Sequence, residues 1–157
     1  MVLLVPLLLL PIVAGSVAAS VAVTLPAGEQ LELFAWVPHG GYPNTFPFGQ
    51  CTWWAARNHR VTWSGNAADW LRNARAQGVA TSETPSIGAI AVFRPGGLYS
   101  ELGHVAIVVA VESDTYVVSE MNAPRWGLVS TRRIVWPDPH VEGFIPVARS
   151  QQSERVA

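Results

Sequence analysis

The chain has 157 residues, which is enough for one domain and too few for two of ordinary size. Half of the residues are hydrophobic and 13% are charged, so a packed core is expected. The formal net charge is −1 and no basic run stands out. This argues against nucleic acid, and against an anionic lipid surface, as an electrostatic partner.

Residues 1–25 carry no charged side chain, and an apolar block there is followed by small residues. The pattern is typical of a secretory signal peptide, with Ser20-Val21-Ala22 as a cleavage site. The uncharged stretch also exceeds the roughly 20 residues that span a bilayer, so an uncleaved apolar helix that anchors the chain is the alternative. Either way, the segment predicts export, and membrane association if it is retained. Residues 26–41 read as a linker and residues 149–157 as a flexible tail.

Two helices are predicted at the start of the globular region. The first covers residues 52–60. The second covers residues 66–77, with Asn66 as its candidate N-cap and Gly78 placed to end it. Apolar residues at spacings of three and four give the second helix one buried face: Ala67, Trp70, Leu71 and Ala74.

The pattern changes to strands after Pro85. Short runs rich in Val and Ile predict strands over residues 87–93, 104–111, 115–121, 128–136 and 141–147. Helices followed by antiparallel strands indicate an α+β fold, in which the N-terminal helices pack on one side of a small curled antiparallel sheet. The predicted domain covers residues 42–148.

Cys51 is the single cysteine of the chain, so it cannot form an internal disulfide. A loop rich in Pro and Gly precedes it and a predicted helix follows. The thiol therefore lies near a helix N-terminus, where backbone N–H groups and the helix dipole favour the nucleophilic thiolate. The alternative is a buried structural cysteine, because free Cys packs like a small hydrophobe.

A base and an orienting group come from the next predicted hairpin. His104 begins one strand, and Glu120 and Asn122 end the following one. His104 can act as the base for a Cys51 nucleophile, and Glu120 or Asn122 can hold its imidazole in the required tautomer. Side chains on paired strands share a face only at an even offset. The hypothesis therefore predicts a loop of odd length, residues 112–114, which puts His104 opposite Asn122.

Other residues are candidates for binding. The side-chain amide of Gln50 and the backbone N–H of Cys51 can both point at a developing oxyanion. Trp53 and Trp126 are candidate substrate-binding residues, since an exposed indole near a cleft can stack on a sugar ring. His39, His59 and His140 show no metal-ligand spacing, so no zinc site is expected. Neither a metal nor another cofactor is predicted. Of Arg132 and Arg133, one is expected to be solvated and one paired.

Five strings occur in an order and spacing that resembles the CHAP domain, the cysteine, histidine-dependent amidohydrolase/peptidase family. They are Gln50-Cys51-Thr52-Trp53, Trp63-x-Gly65-Asn66-Ala67, Gly88-Ala89-Ile90-Ala91-Val92, Gly103-His104-Val105-Ala106-Ile107 and Ser119-Glu120-Met121-Asn122. The resemblance implies a papain-like architecture and a peptidoglycan hydrolase that cuts either the N-acetylmuramoyl–L-alanine amide or a peptide bond. It places the family's nucleophile on Cys51, its base on His104, its orienting acid on Glu120 and its further polar partner on Asn122.

Several alternatives stay open at this stage. The resemblance does not choose between the amidase and the endopeptidase reaction, and the oligomeric state is undetermined. A different class of function is a non-catalytic wall-binding or scaffold subunit of a secretion, conjugation or phage apparatus. A third is an amidase that acts on a small γ-glutamyl or polyamine amide, which the export segment makes the weakest of the three.

Overall fold

A computed structural model describes residues 40–148 of the chain. The predicted signal peptide or apolar anchor helix at residues 1–25, the linker up to residue 39, and the tail at residues 149–157 lie outside the described residues. Within residues 40–148, no helix has the length and apolar character that crossing a membrane requires.

The helices form close to where the sequence pattern places them. Helix α1 spans Cys51–Asn58, and helix α2 spans Trp70–Ala76 after a short 3-10 turn at Ala67–Asp69. Gly78 follows α2 with a φ of +73°, and its N–H donates to the carbonyl of Arg75. This conformation is easily reached by glycine, which explains why the helix ends there.

The capping role predicted for Asn66 is not seen. Asn66 occupies the N-cap position with extended backbone, but its side chain makes no capping hydrogen bond. The N–H of Ala68 in this turn donates instead to the carbonyl of Leu102, at 2.9 Å. A contact with a distant loop therefore satisfies a donor that a side-chain cap would otherwise serve.

Five strands form one antiparallel sheet. They are β1 (Ile90–Phe93), β2 (His104–Val111), β3 (Thr115–Met121), β4 (Val129–Val135) and β5 (Val141–Ile145), in the order β4-β3-β2-β1-β5. The bounds of β2 and β3 agree with the sequence prediction, and the other three strands are shorter than predicted. The described domain is thus an α+β fold, as expected.

Side chains that alternate along the strands divide the core into two layers. One layer joins the sheet to the helices through Val105 and Ile107 of β2, which are fully buried with Trp70 of α2. The other layer lies on the opposite face, where Ala106 and Val108 pack with aromatic residues. The helices are therefore confined to one face, as the sequence predicts.

The hairpin that joins β2 to β3 differs from the prediction. Glu112 pairs with Thr115 around a two-residue turn, so the predicted odd loop is wrong. The register shifts between Val108 and Ala110, where a bulge adds the extra residue on β2. Beyond the bulge Ile107 pairs with Ser119. The same register, continued to the strand ends, places His104 opposite Asn122. A bulge thus produces the offset that was expected from the loop.

Candidate active site

Cys51 is the first residue of α1, and the extended N-cap residue Gln50 precedes it. Cys51 is 8% exposed. Burial raises its pKa, but the hydrogen bond and the charge of His104, together with backbone hydrogen bonds at Val105 and Thr52, outweigh burial. The net pKa of Cys51 lies below its ordinary value, so the thiolate is favoured.

His104 is the first residue of β2 and is 4% exposed. Its Nε2 lies 2.9 Å from Oε2 of Glu120, which leaves Nδ1 as the ring nitrogen available to the Cys51 thiol. Burial lowers the pKa of His104, but its hydrogen bonds and charge interactions with Cys51 and Glu120 raise the net value to about 9. The three side chains therefore form one chain of interactions, as expected for a nucleophile, a base and an orienting group.

Gly103, immediately before His104, allows a close approach between two segments. Its φ is +71°, and a Cβ at this position would lie 2.7 Å from the backbone nitrogen of Ala68. Only glycine fits this backbone contact, which fixes the start of β2 against the 3-10 turn. The contact helps to hold His104 in place at the strand end.

Glu120 is 1% exposed and is held by a guanidinium as well as by the imidazole. Arg132 donates from Nε to Oε1 of Glu120 at 2.9 Å and from Nη2 to Oε2 at 3.2 Å. Burial raises the pKa of Glu120, but the hydrogen bonds from His104 and Arg132 and their charges lower the net value to about 2. Glu120 therefore stays ionised near neutral pH and accepts the Nε2–H of His104.

Two members of this network, Arg132 and Tyr99, were not identified from the sequence. Nη2 of Arg132 also donates to the hydroxyl of Tyr99, and the Tyr99 ring stacks on the His104 imidazole with centroids 5.0 Å apart. Arg132 is the paired residue, with the buried Glu120, whereas the Arg133 side chain is 57% exposed and also contacts Glu112 at the surface.

A sequence signal for Arg132 was present. Arg132 lies two positions before Ile134 in β4, so both side chains are on the inward face of that strand. An arginine on a buried face is expected to pair with a buried acid. Tyr99 lies in a loop whose path gives no comparable periodic signal.

Asn122 contacts Gln50. Its Nδ2 donates to Oε1 of Gln50 at 2.9 Å, whereas the imidazole of His104 is held by Glu120. Asn122 has a φ of +63°, a conformation that asparagine tolerates better than most residues. The hydrogen bond uses the side-chain carbonyl of Gln50, so the NH₂ group is the donor end of this side chain, on the residue that precedes the nucleophile.

A groove of about 850 Å³ runs past these side chains. Its charged lining residues are His104, Glu120 and Arg132, all of which belong to the network. Trp53 is partly buried and Trp126 is 62% exposed; neither lines the groove itself. Within residues 40–148 no group of three or more His, Cys, Asp or Glu side chains is placed to hold a metal ion. The lack of a metal or other cofactor remains a prediction.

The geometry defines a small α+β domain with a buried Cys-His-Glu cluster at the N-terminus of a helix, open to a groove. Residues 41–122 match the CHAP domain family, a segment that contains all four predicted catalytic residues. The chain belongs to that family.

The chain is similar to several bacterial proteins. A Streptococcus mutans serotype c protein, named as a hydrolase, is 41% identical over 103 residues, covering 64% of this chain and 46% of that protein. The Staphylococcus aureus protein named "Probable autolysin SsaALP" is 35% identical over 88 residues, covering 52% and 32% of the two chains. The staphylococcal secretory antigen SsaA of S. aureus is 38% identical over 99 residues, covering 59% and 36%. The chain thus spans less than half the length of these relatives.

A solved structure supports the same fold. The crystal structure of an N-acetylmuramoyl-L-alanine amidase from Staphylococcus aureus matches with a TM-score of 0.57 and 32% sequence identity. The match covers 64% of this chain and 31% of the amidase chain.

Proposed function

We propose that the protein is an exported cysteine hydrolase that cleaves amide bonds of bacterial peptidoglycan, on a domain of papain-like architecture. The observation that carries the proposal is the buried Cys51–His104–Glu120 chain at the start of α1, beside an open groove. Membership of the CHAP family, and the autolysin and amidase names among its relatives, support peptidoglycan as the substrate. The name of the secretory antigen and the predicted signal segment support export.

In the proposed mechanism the Cys51 thiolate attacks the carbonyl carbon of the scissile amide. The backbone N–H of Cys51 and the NH₂ group of Gln50 stabilise the negative oxygen of the tetrahedral intermediate. His104 gives a proton to the departing amine, which leaves an acyl-enzyme thioester. His104 then removes a proton from water, whose oxygen attacks the thioester carbonyl. The carbon–sulfur bond breaks, the carboxylic acid product leaves, and Cys51 returns to the thiolate beside the protonated His104.

The experiment that tests this function is digestion of purified sacculi with the full chain, followed by mass spectrometry of the soluble products. We expect new amine termini and soluble fragments in the wild-type digestion. Each peptidoglycan bond gives products of different mass, so the same spectra separate an amidase from an endopeptidase. Intact sacculi after prolonged digestion would contradict the proposal. A non-catalytic wall-binding subunit would bind the sacculi and release nothing.

The pKa values predict how the reactivity of the thiol depends on pH. Cys51 is the only cysteine, so its rate of alkylation by iodoacetamide reports the thiolate directly. Alkylation should persist below the pH at which it stops in the unfolded chain, because His104 lowers the pKa of Cys51. The activity should rise as Cys51 ionises and fall near pH 9, where His104 loses its proton.

The control for this prediction is His104→Ala, which removes the partner that favours the thiolate. Its alkylation profile should move to higher pH. Identical profiles for the folded wild type and the unfolded chain would show that the Cys51 thiol is not activated.

The hydrogen bond between Asn122 and Gln50 predicts that Asn122 acts through Gln50. Gln50→Ala should lower kcat by about 100-fold, the usual effect of losing one oxyanion donor. Asn122→Ala should lower kcat in the same direction, and the double variant should be no slower than Gln50→Ala alone. Asn73→Ala, an amide on α2 outside the groove, serves as the control and should leave kcat unchanged. Additive losses would assign Asn122 a separate role.

A further inference from the structure

An aromatic cluster stands next to the nucleophile, and neither the fold nor the proposed chemistry accounts for its exposure. Phe48, Trp53 and Trp126 form this cluster, the aromatic platform. Phe48 is 61% exposed and Trp126 is 62% exposed. The Phe48 ring packs edge-on against Trp53 with centroids 4.8 Å apart, and against Trp126 at 6.2 Å. Large aromatic groups left in water beside a groove commonly mark a binding surface.

The platform is attached to the loop that carries the nucleophile. Gly49 has a φ of +90°, and a Cβ on it would lie 2.4 Å from Cε2 of the Trp126 indole, so the indole rests directly on the Gly49 backbone. The N–H of Gly127 donates to the carbonyl of Gly49 at 3.1 Å, which ties the two loops together. The indole is therefore held in place by backbone contacts while much of its surface stays exposed.

The platform also continues the groove. Gly49 is two residues from Cys51, so their Cα atoms are at most about 7 Å apart. From the other side, Ala123 and Pro124 line the groove and lead directly to Trp126. The two segments that carry Phe48 and Trp126 therefore also line the groove that contains Cys51.

The chemistry of the platform favours a sugar ring over a charged peptide. Its three side chains carry no charge, and the charged side chains of the adjoining groove already bind one another. A pyranose has an apolar C–H face and a polar rim, so a flat aromatic ring covers the first and leaves the second in water. Phe48 and Trp126 meet at 85°, which forms a corner that can contact both the face and the edge of such a ring.

We infer that the aromatic platform binds an amino-sugar ring of the glycan strand, a conclusion that rests on the proposed function. The muramic acid of peptidoglycan carries its lactyl amide on a short ether link. With that sugar on the platform, the lactyl carbonyl is the first amide carbonyl that reaches Cys51. The peptide bonds of the stem are farther from the sugar. The inference therefore favours cleavage of the amide next to the glycan.

The test uses the full chain with Cys51→Ala, so that binding is measured without turnover. The probes are glycan strands freed of peptide and, separately, free stem peptides; binding is followed by calorimetry. Trp126→Ala in this background should weaken glycan binding by about 10-fold and leave peptide binding unchanged. Val135→Ala, an exposed apolar residue at the far end of β4, is the control and should alter neither.

The outcomes separate this inference from the proposed function. Failure of the Cys51→Ala protein to bind glycan strands, or an equal loss of peptide binding in Trp126→Ala, would overturn the inference even if sacculi are cleaved. Glycan binding that depends on Trp126, together with no cleavage of sacculi by the wild type, would support the platform and overturn the hydrolase proposal.

Discussion

Cys51→Ala should abolish hydrolysis of sacculi, with kcat reduced by about 10,000-fold or more. Removing the nucleophile of a triad leaves only the rate enhancement due to substrate binding and oxyanion stabilisation, because the remaining members have nothing to activate. The residual activity should also lose the pH dependence set by the thiolate. The measurement is the initial rate of product release from sacculi by wild type and variant at equal concentration.

Two controls separate lost chemistry from a lost fold. Because the chain has a single cysteine, alkylation of the wild type with iodoacetamide modifies Cys51 alone and should reproduce the loss. The Cys51→Ala protein should keep its cooperative thermal transition and its binding to sacculi, since the substitution removes one sulfur atom and alanine suits the first turn of α1. Equal rates for Cys51→Ala and wild type would exclude catalysis by this thiol and favour a scaffold role.

Arg132→Leu should lower the free energy of unfolding by about 3 kcal/mol. Glu120 is 1% exposed, and removal of its guanidinium partner leaves a buried carboxylate with the imidazole as its remaining charged partner. We place the value at the lower end of the usual range because the Arg132 side chain is 32% exposed and water reaches part of the pair. Chemical denaturation of wild type and variant at pH 7 measures this difference.

The pH dependence of this loss has a defined sign. The pKa of Glu120 is lowered to about 2 in the folded protein, so its stabilising contribution is complete above the ordinary carboxyl range and is lost as the pH falls through about 2. The difference between wild type and Arg132→Leu should therefore shrink on acidification. A difference that stays constant down to pH 2 would mean that packing of the Arg132 side chain, and not its charge, causes the loss.

The neighbouring residue provides a matched control. Arg133 lies on the outward face of β4 and pairs with the exposed Glu112, so Arg133→Leu should change stability little. Glu120→Gln removes the buried charge that Arg132 neutralises. Adding it to Arg132→Leu should restore part of the lost stability, because no ionised carboxylate is then left buried. A double variant less stable than Arg132→Leu would show that the carboxylate is well solvated without the guanidinium.

Much of the fold follows from local patterns. The β2 and β3 strands were predicted at their observed bounds because a continuous Val- and Ile-rich run is broken by a polar turn. Helix α2 ends at the predicted glycine, since glycine readily adopts the left-handed conformation there. The capping role of Asn66 failed because a hydrogen bond between Ala68 and Leu102, distant in sequence, serves that turn. Local signals therefore locate the elements, and long-range contacts decide how their ends are completed.

The bulge in β2 shows a second limit of the sequence pattern. The chemistry required His104 and Glu120 on one face, which is a correct constraint on the register. This constraint does not specify whether the extra residue lies in the turn or within β2. A turn of odd length and a bulge satisfy the same constraint, and their relative stability depends on backbone hydrogen bonds across both strands. The prediction was right about the offset and wrong about the loop.

The candidate catalytic residues could be read from the sequence, because a lone cysteine at a helix start and a histidine at a strand start are local features. The side chains that contact these candidates follow from the tertiary structure. Arg132 and Tyr99 join the site, and Asn122 reaches Gln50, through contacts between segments far apart in the chain. The exposure of Trp126 likewise depends on its position over Gly49. Such contacts arise from packing, which a residue pattern along one segment does not encode.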